Sequence, residues 1–139
     1  PLATIEPIEC DFGTFCPEGS AVETNCPPGT YGAGRGQTDI SQCETCRAGT
    51  QCPVGSSEEI PCAPGSHAPA AGSVSCTACP PGSYQDATQQ TSCKLCIPGH
   101  YCGVGSPSPT ACPAGYYAPL SGLNTSSQCA VSMHFYIAQ

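Results

Sequence analysis

The chain has 139 residues, 14 of them cysteine, 16 glycine and 16 proline, and a formal net charge of -7 from 3 Lys or Arg against 10 Asp or Glu. About one cysteine in ten residues argues against an ordinary reduced globular domain, and the glycine and proline argue against extended helix. The lack of a basic patch excludes nucleic acid as a partner, and no apolar run reaches the roughly 18 residues of a membrane span.

Taken in order, residues 1–9 are an N-terminal segment carrying Leu2, Ile5 and Ile8, within an acidic stretch of Glu6, Glu9, Asp11, Glu18 and Glu23. It opens on Pro1 without a signal-peptide pattern, which reads as a mature or excised piece of a longer secreted chain. Cys10, Cys16 and Cys26 set a C-x5-C-x9-C spacing that returns at Cys46, Cys52, Cys62 and at Cys96, Cys102, Cys112. Longer loops start at CPPGTY, CAPGSH, CPPGSY and CPAGYY and close at Cys43, Cys76, Cys93 and Cys129. Two of these loops have thirteen intervening residues and two have sixteen, the extra residues being expected at the loop tip. The reading is a partial short-loop unit at 10–25, repeats at 26–61, 62–78 and 79–111, a last long-loop unit at 112–129, and an apolar tail at 130–139.

Ten cysteines are followed by x-x-G, and three of the other four by x-x-C. A glycine there suits a turn that needs positive φ, and the frequent preceding proline presets a type II corner. Two residues further on stands Tyr31, His67, Tyr84 or Tyr117, a ring placed to lie over a neighbouring disulfide. Between residues 26 and 129 the large aliphatic side chains are Ile40, Val54, Ile60, Val74, Leu95, Ile97, Val104, Leu120 and Leu123. These are too few for a hydrophobic core, so cross-links must offset the ordering entropy.

The stretch CTACPPGSYQDATQQTSCKLC has the C-x-x-C pairs of a zinc site, yet the cysteines do not recur in closed sets of four, and no strand-then-helix pattern marks a redox pair. Disulfides fit the even count. Sequential pairing gives four long loops (Cys26–Cys43, Cys62–Cys76, Cys79–Cys93, Cys112–Cys129) and three short ones (Cys10–Cys16, Cys46–Cys52, Cys96–Cys102); staggered pairs linking neighbouring units remain open.

The units CPPGTYGAGRGQTDISQCETC and CPPGSYQDATQQTSCKLC resemble the ephrin-receptor-like cysteine-rich repeat, and the thirteen-residue loop is similar to the opening module of tumour-necrosis-factor-receptor cysteine-rich domains. The resemblance covers residues 10–129. It implies an extracellular array of small two-stranded turns and loops, found in receptor ectodomains, secreted proteins and, in tandem form, surface proteins of single-celled eukaryotes. The short CRAGTQC and CIPGHYC units depart from animal receptor domains, so no ligand-contacting residue carries over.

The expected fold is therefore small and disulfide-rich, an elongated tandem array of short β-hairpins and loops without a shared core. The histidines sit far apart, no nucleophile, base and orienter can be assembled, and Glu9 with Asp11 lacks the alternating carboxylates of a calcium loop. No enzyme, metal or cofactor is expected. Asn124-Thr125-Ser126 is a glycosylation sequon, and GSPSPTA at 105–111 is a hydroxyl-rich run suited to O-linked sugar or a bare linker. Val131, Met133, Phe135 and Ile137 alternate as in a strand with one apolar face, which makes Met133, Phe135 and Ile137 the expected assembly contact. The expected role is structural and adhesive, in an extracellular or cell-surface coat, appendage or filament, through self-association or docking on neighbouring domains of a longer chain. A ligand-binding receptor ectodomain is the alternative.

Overall fold

The computed structural model describes residues 9–20 and 22–131. The proposed contact residues Met133, Phe135 and Ile137, and Leu2, Ile5 and Ile8 of the N-terminal segment, lie outside the described residues.

Among the described residues, seven antiparallel hairpins, each of two two-residue strands, and two single 3₁₀ turns are joined by the isolated bridges Tyr31 to Ser56 and Tyr84 to Ser106. The chain divides into two compact units, Pro1–Pro61 with Ala70–Ser75, and Cys62–Pro69 with Cys76–Gln139. The first holds β1 (Thr14–Phe15) on β2 (Thr24–Asn25), β3 (Thr30–Tyr31) on β4 (Glu44–Thr45), and β5 (Thr50–Gln51) on β6 (Ile60–Pro61). The second holds β7 (Ser66–His67) on β8 (Thr77–Ala78), β9 (Ser83–Tyr84) on β10 (Lys94–Leu95), β11 (His100–Tyr101) on β12 (Thr110–Ala111), and β13 (Tyr116–Tyr117) on β14 (Ala130–Val131).

Each hairpin starts from the same local chemistry. In Cys26-Pro27-Pro28-Gly29-Thr30 the Thr30 N–H and hydroxyl donate to the Pro27 carbonyl at 3.1 and 2.7 Å, and Gly29 takes φ +85° at the third turn position. That is the type II turn expected from the sequence. All ten glycines of the C-x-x-G motifs have positive φ.

Two-residue strands are marginal by themselves, and one disulfide per hairpin holds each closed. The bridges are Cys10–Cys16, Cys26–Cys43, Cys46–Cys52, Cys62–Cys76, Cys79–Cys93, Cys96–Cys102 and Cys112–Cys129. Long and short loops are two solutions of one frame. In the long class the second cysteine directly precedes the second strand, as Cys43 precedes Glu44. In the short class it directly follows the first strand, as Cys52 follows Gln51. Hairpin boundaries thus mark modules at 10–25, 26–45, 46–61, 62–78, 79–95, 96–111 and 112–131, so the stretches 26–61 and 79–111 each hold two.

The three extra residues of the longer loops do not widen the tip. They form the 3₁₀ turns Ile40–Gln42 and Ser126–Gln128 just before the closing cysteine. Asp39 accepts from Ser41 N–H at 2.9 Å and Gln42 Oε1 accepts from Asp39 N–H at 2.9 Å, a capping box that fixes the first turn.

Sulfur stands where a core would be. Cys26, Cys46, Cys52, Cys62, Cys79, Cys96 and Cys102 are 0 % exposed, whereas Ile40, Val54, Ile60, Val74, Leu95, Ile97, Val104 and Leu120 are all exposed.

Candidate functional site

The four sulfurs of the C-x-x-C stretch fall in three different bridges, Cys62–Cys76, Cys79–Cys93 and Cys96–Cys102. Among the described residues the one cluster of three metal-ligand types is His67, Cys79 and Cys93, and both its cysteines are oxidised to the same disulfide. His67 Nδ1 lies 3.1 Å from the Thr77 carbonyl and 3.2 Å from Cys93 Sγ. A carbonyl only accepts, so Nδ1 carries the proton and His67 ties its own hairpin to the next bridge. Tyr31 and Tyr84, in the same slot, turn to the residue opposite them in register. Tyr31 donates its hydroxyl to Glu44 Oε2 at 2.6 Å, and Lys94 Nζ lies 5.9 Å from the Tyr84 ring centroid.

Charged side chains pair across hairpins and do not converge. Glu59 accepts from the Arg47 N–H at 2.7 Å and meets Arg47 Nη2 at 2.8 Å, and the hydrogen bond from Arg47 holds its carboxyl below the ordinary carboxylate range. Lys94 meets Asp86 at 2.9 Å and lowers its pKa through that hydrogen bond. Asp11, with Glu9 considered for calcium, accepts from the Phe12 N–H at 2.8 Å and faces Arg35 at 3.6 Å; Glu9 instead lies beside Gly36. Asn124 is exposed, its N–H on Gln128 Oε1 at 2.6 Å at the start of the second 3₁₀ turn.

The feature that recurs with fixed geometry is the junction between consecutive modules, made by backbone atoms. Three hydrogen bonds define it. The turn glycine donates to the carbonyl six residues past the opening cysteine of the following module: Gly29 to Cys52 at 2.8 Å, Gly82 to Cys102 at 2.8 Å. A loop residue of the following module donates back to the opening cysteine: Gly55 to Cys26 at 3.1 Å, Gly105 to Cys79 at 2.8 Å. Finally the residue six past the opening cysteine donates to the carbonyl just after that loop residue: Gly32 to Ser56 at 2.9 Å, Gln85 to Ser106 at 3.1 Å.

Each module also meets the one after next within its unit. A Cβ on Gly13 or Gly29 would overlap the carbonyl oxygen of Gly55 or Gly72, and in the second unit Gly65 and Gly82 stand in the same way over Gly105 and Gly122. The C-x-x-G glycines therefore hold two different posts. Gly13, Gly29, Gly65 and Gly82 shape turns, while Gly55 and Gly105 serve the loop post that Gly36, Gly72, Gln89 and Gly122 fill elsewhere. The cysteine spacing carries no trace of that second post in the long-loop modules.

Residues 65–104 match the family model of tyrosine-protein kinase ephrin type A/B receptor-like modules. This stretch is similar to the ephrin-receptor-like cysteine-rich repeat, and the flanking modules share its bridge-and-hairpin frame. A search of curated proteins gives no match. The family likeness of residues 65–104 and the seven disulfides are consistent with an extracellular domain. Among the described residues no helix is long and apolar enough to cross a membrane.

Proposed function

We propose that the chain is a structural repeat segment of an extracellular assembly, a coat, appendage or filament, in which disulfide-closed modules bind one another through their backbones. The observation that supports this reading is the three-bond junction. It recurs while the side chains around it change from Gly32 to Cys52 to Gln85, so the sequence is organised to stack modules. Tyr31 with Glu44, Arg47 with Glu59 and Lys94 with Asp86 pair within their own modules, the charged side chains form no convergent constellation among the described residues, and the reading assigns no catalytic role. Exposed Asn124 supplies a glycan position on the surface.

The family description, which names a receptor, favours a second reading as part of a ligand-binding ectodomain. Electron microscopy of the native material separates the two. Regular fibres or sheets containing this chain are expected from the structural role, and dispersed particles that bind a soluble partner would reject it.

A further inference from the structure

The slot two residues past the turn glycine holds Tyr31, Tyr84 and Tyr117 in three of the long-loop modules and His67 in the fourth. That imidazole is held against the disulfide of the following module. Its Nδ1–H points between the Thr77 carbonyl at 3.1 Å and Cys93 Sγ at 3.2 Å. Backbone bonds brace the contact from both sides. Gly65 N–H donates to the Gln85 carbonyl at 2.7 Å and Ala68 N–H to the Gln90 carbonyl at 3.0 Å, so the chain before and after His67 is tied to the loop that Cys79 and Cys93 close. All of these residues belong to the second compact unit.

A donor at a bridge sulfur has a chemical consequence, because it stabilises the thiolate that the sulfur becomes when the bridge opens. A neighbouring imidazole lowers the pKa of a cysteine thiol, and a thiol of lower pKa leaves faster. An acceptor does nothing of the kind. Cys52 Sγ, in another bridge, lies 3.9 Å from the Glu58 carbonyl and gains no such help from it. Access to the Cys79–Cys93 bridge is one-sided. Cys93 and His67 are half-buried whereas Cys79 is 0 % exposed, so an incoming sulfur meets Cys93.

We propose that the Cys79–Cys93 bridge is a thiol–disulfide exchange site that takes a dithiol at Cys93, with the His67 Nδ1–H stabilising Cys93 as the departing thiolate. One thiolate of the dithiol attacks Cys93 Sγ. A bond forms between the two sulfurs, the Cys79–Cys93 bond breaks, and its electron pair leaves on Cys79 Sγ, which takes a proton from water. The second thiolate of the dithiol then attacks the first. The mixed disulfide breaks, and Cys93 leaves with the electron pair as a thiolate that accepts the hydrogen bond from His67. The bridge is reduced by two electrons and the dithiol is oxidised to its cyclic disulfide.

The architecture confines the exchange to one module. Each of the other bridges closes within its own hairpin, so none has to break when Cys79–Cys93 opens. His67 lies on β7, whose hairpin with β8 is closed by Cys62–Cys76, and the donor therefore keeps its place while the neighbouring bridge is open. The β9 and β10 strands of the opened module are two residues each and marginal without their bridge, so exchange loosens that hairpin. The proposal is independent of the assembly role above.

The test equilibrates the full chain, His67→Phe and His67→Asn in buffers of reduced and oxidised dithiothreitol at about pH 8, near the ordinary thiol pKa. Acid quenching, alkylation and peptide mapping then read each bridge separately. His67→Phe keeps a ring in the slot and removes the donor, and His67→Asn keeps a donor close to the position of Nδ1. In the parent, Cys79–Cys93 is expected to open while the other bridges stay closed. Its reduction equilibrium is expected to fall about tenfold in His67→Phe, ~30 mV in potential, and to stay within about threefold of the parent in His67→Asn. Cys62–Cys76 closes the hairpin that carries His67 and is expected to hold its parent value in both variants. A Cys79–Cys93 equilibrium unmoved by phenylalanine, a parallel shift of Cys62–Cys76, an asparagine variant as impaired as phenylalanine, or a parent bridge that opens only with all the others overturns the proposal. Glutathione on the parent chain decides the point of attack whether or not the variants close all their bridges. A mixed disulfide on Cys93 is expected, and one on Cys79, or none, rejects the site.

Discussion

Gln89 donates its N–H to the Cys62 carbonyl at 2.9 Å with φ +58°, in the post that glycine fills at Gly72, Gly105 and Gly122. It is the only described non-glycine residue at positive φ, and the left-handed conformation costs an L-residue about 1 kcal/mol. The junction bond requires that conformation. Gln89→Gly is therefore expected to raise stability by about 0.5 kcal/mol after the added chain entropy of glycine is subtracted, and Gln89→Val to lower it by about 1–2 kcal/mol. Denaturant unfolding with the bridges intact measures both; a glycine variant less stable than the parent would refute the strain assignment.

Gly19 and Gly29 share positive φ, +81° and +85°, and differ in what lies beyond the missing side chain. Alanine at Gly19 meets open space and suffers only the backbone cost, about 1 kcal/mol. At Gly29 it would drive a methyl into the Gly72 carbonyl, so the loop of a later module must move and the junction bond from Gly72 to Cys46 goes with it. Gly29→Ala is expected to be worse than Gly19→Ala by about 2 kcal/mol or more. Equal losses would mean that the close approach contributes nothing.

The cysteine spacing, read with the glycine that follows, was enough to indicate coreless hairpins and to set zinc aside, because a bridged hairpin is a local object whose parts lie within twenty residues of each other in sequence. The unit of repetition was harder to see. Moving the second cysteine from before the second strand, as at Cys43, to after the first, as at Cys52, disguises equal modules as a repeat of alternating loops, and only strand register restores the equivalence. The stacking code was invisible for a different reason. It runs between backbone atoms of sequence-distant loops, and Gln89 shows that its posts need not even be glycine. Tyr31 and Tyr84 also engage the charged residues opposite them in register, Glu44 and Lys94, a pairing that the cysteine spacing does not reveal.

Acid should find the third hairpin through Glu59. Its carboxylate closes the hairpin on the Arg47 backbone and guanidinium, and the hydrogen bond from Arg47 depresses its pKa in the folded chain. A carboxyl depressed on folding contributes stability above its unfolded value of about 4.3, and that contribution disappears as the pH falls through the lower folded value. Glu59→Gln lacks the titration. The drop in melting temperature between about pH 6 and about pH 3 should therefore be smaller in Glu59→Gln than in the parent. Asp39 and Asp86, also depressed, remain in both proteins, so the difference isolates Glu59. Parallel acid curves would show that the pair is neutral to stability.

Because every bridge closes within one module, removing one should loosen that module without reshuffling the others. The chain-entropy model gives about 3 kcal/mol for a loop with a separation of 17, as in Cys26–Cys43, and about 2 kcal/mol for one of 6, as in Cys46–Cys52. These modules are neighbours in the first unit, so the paired variants Cys26→Ser with Cys43→Ser and Cys46→Ser with Cys52→Ser compare loop length in nearly one setting. The long-loop variant is expected to be the less stable of the two by about 1 kcal/mol, and a peptide map of either should still show the other six bridges intact. The burial pattern opposes the loop-length ranking, since Cys46 and Cys52 are both 0 % exposed whereas Cys43 is half-buried, so serine in the short loop places two hydroxyls where sulfur now fills the interior. An unpartnered buried hydroxyl costs about 1–3 kcal/mol. Alanine variants of the same two pairs remove that cost. If loop entropy governs, the long-loop pair is the more damaging with alanine whatever serine shows; if the short-loop pair is worse with both, the sulfurs stabilise this chain chiefly as its core.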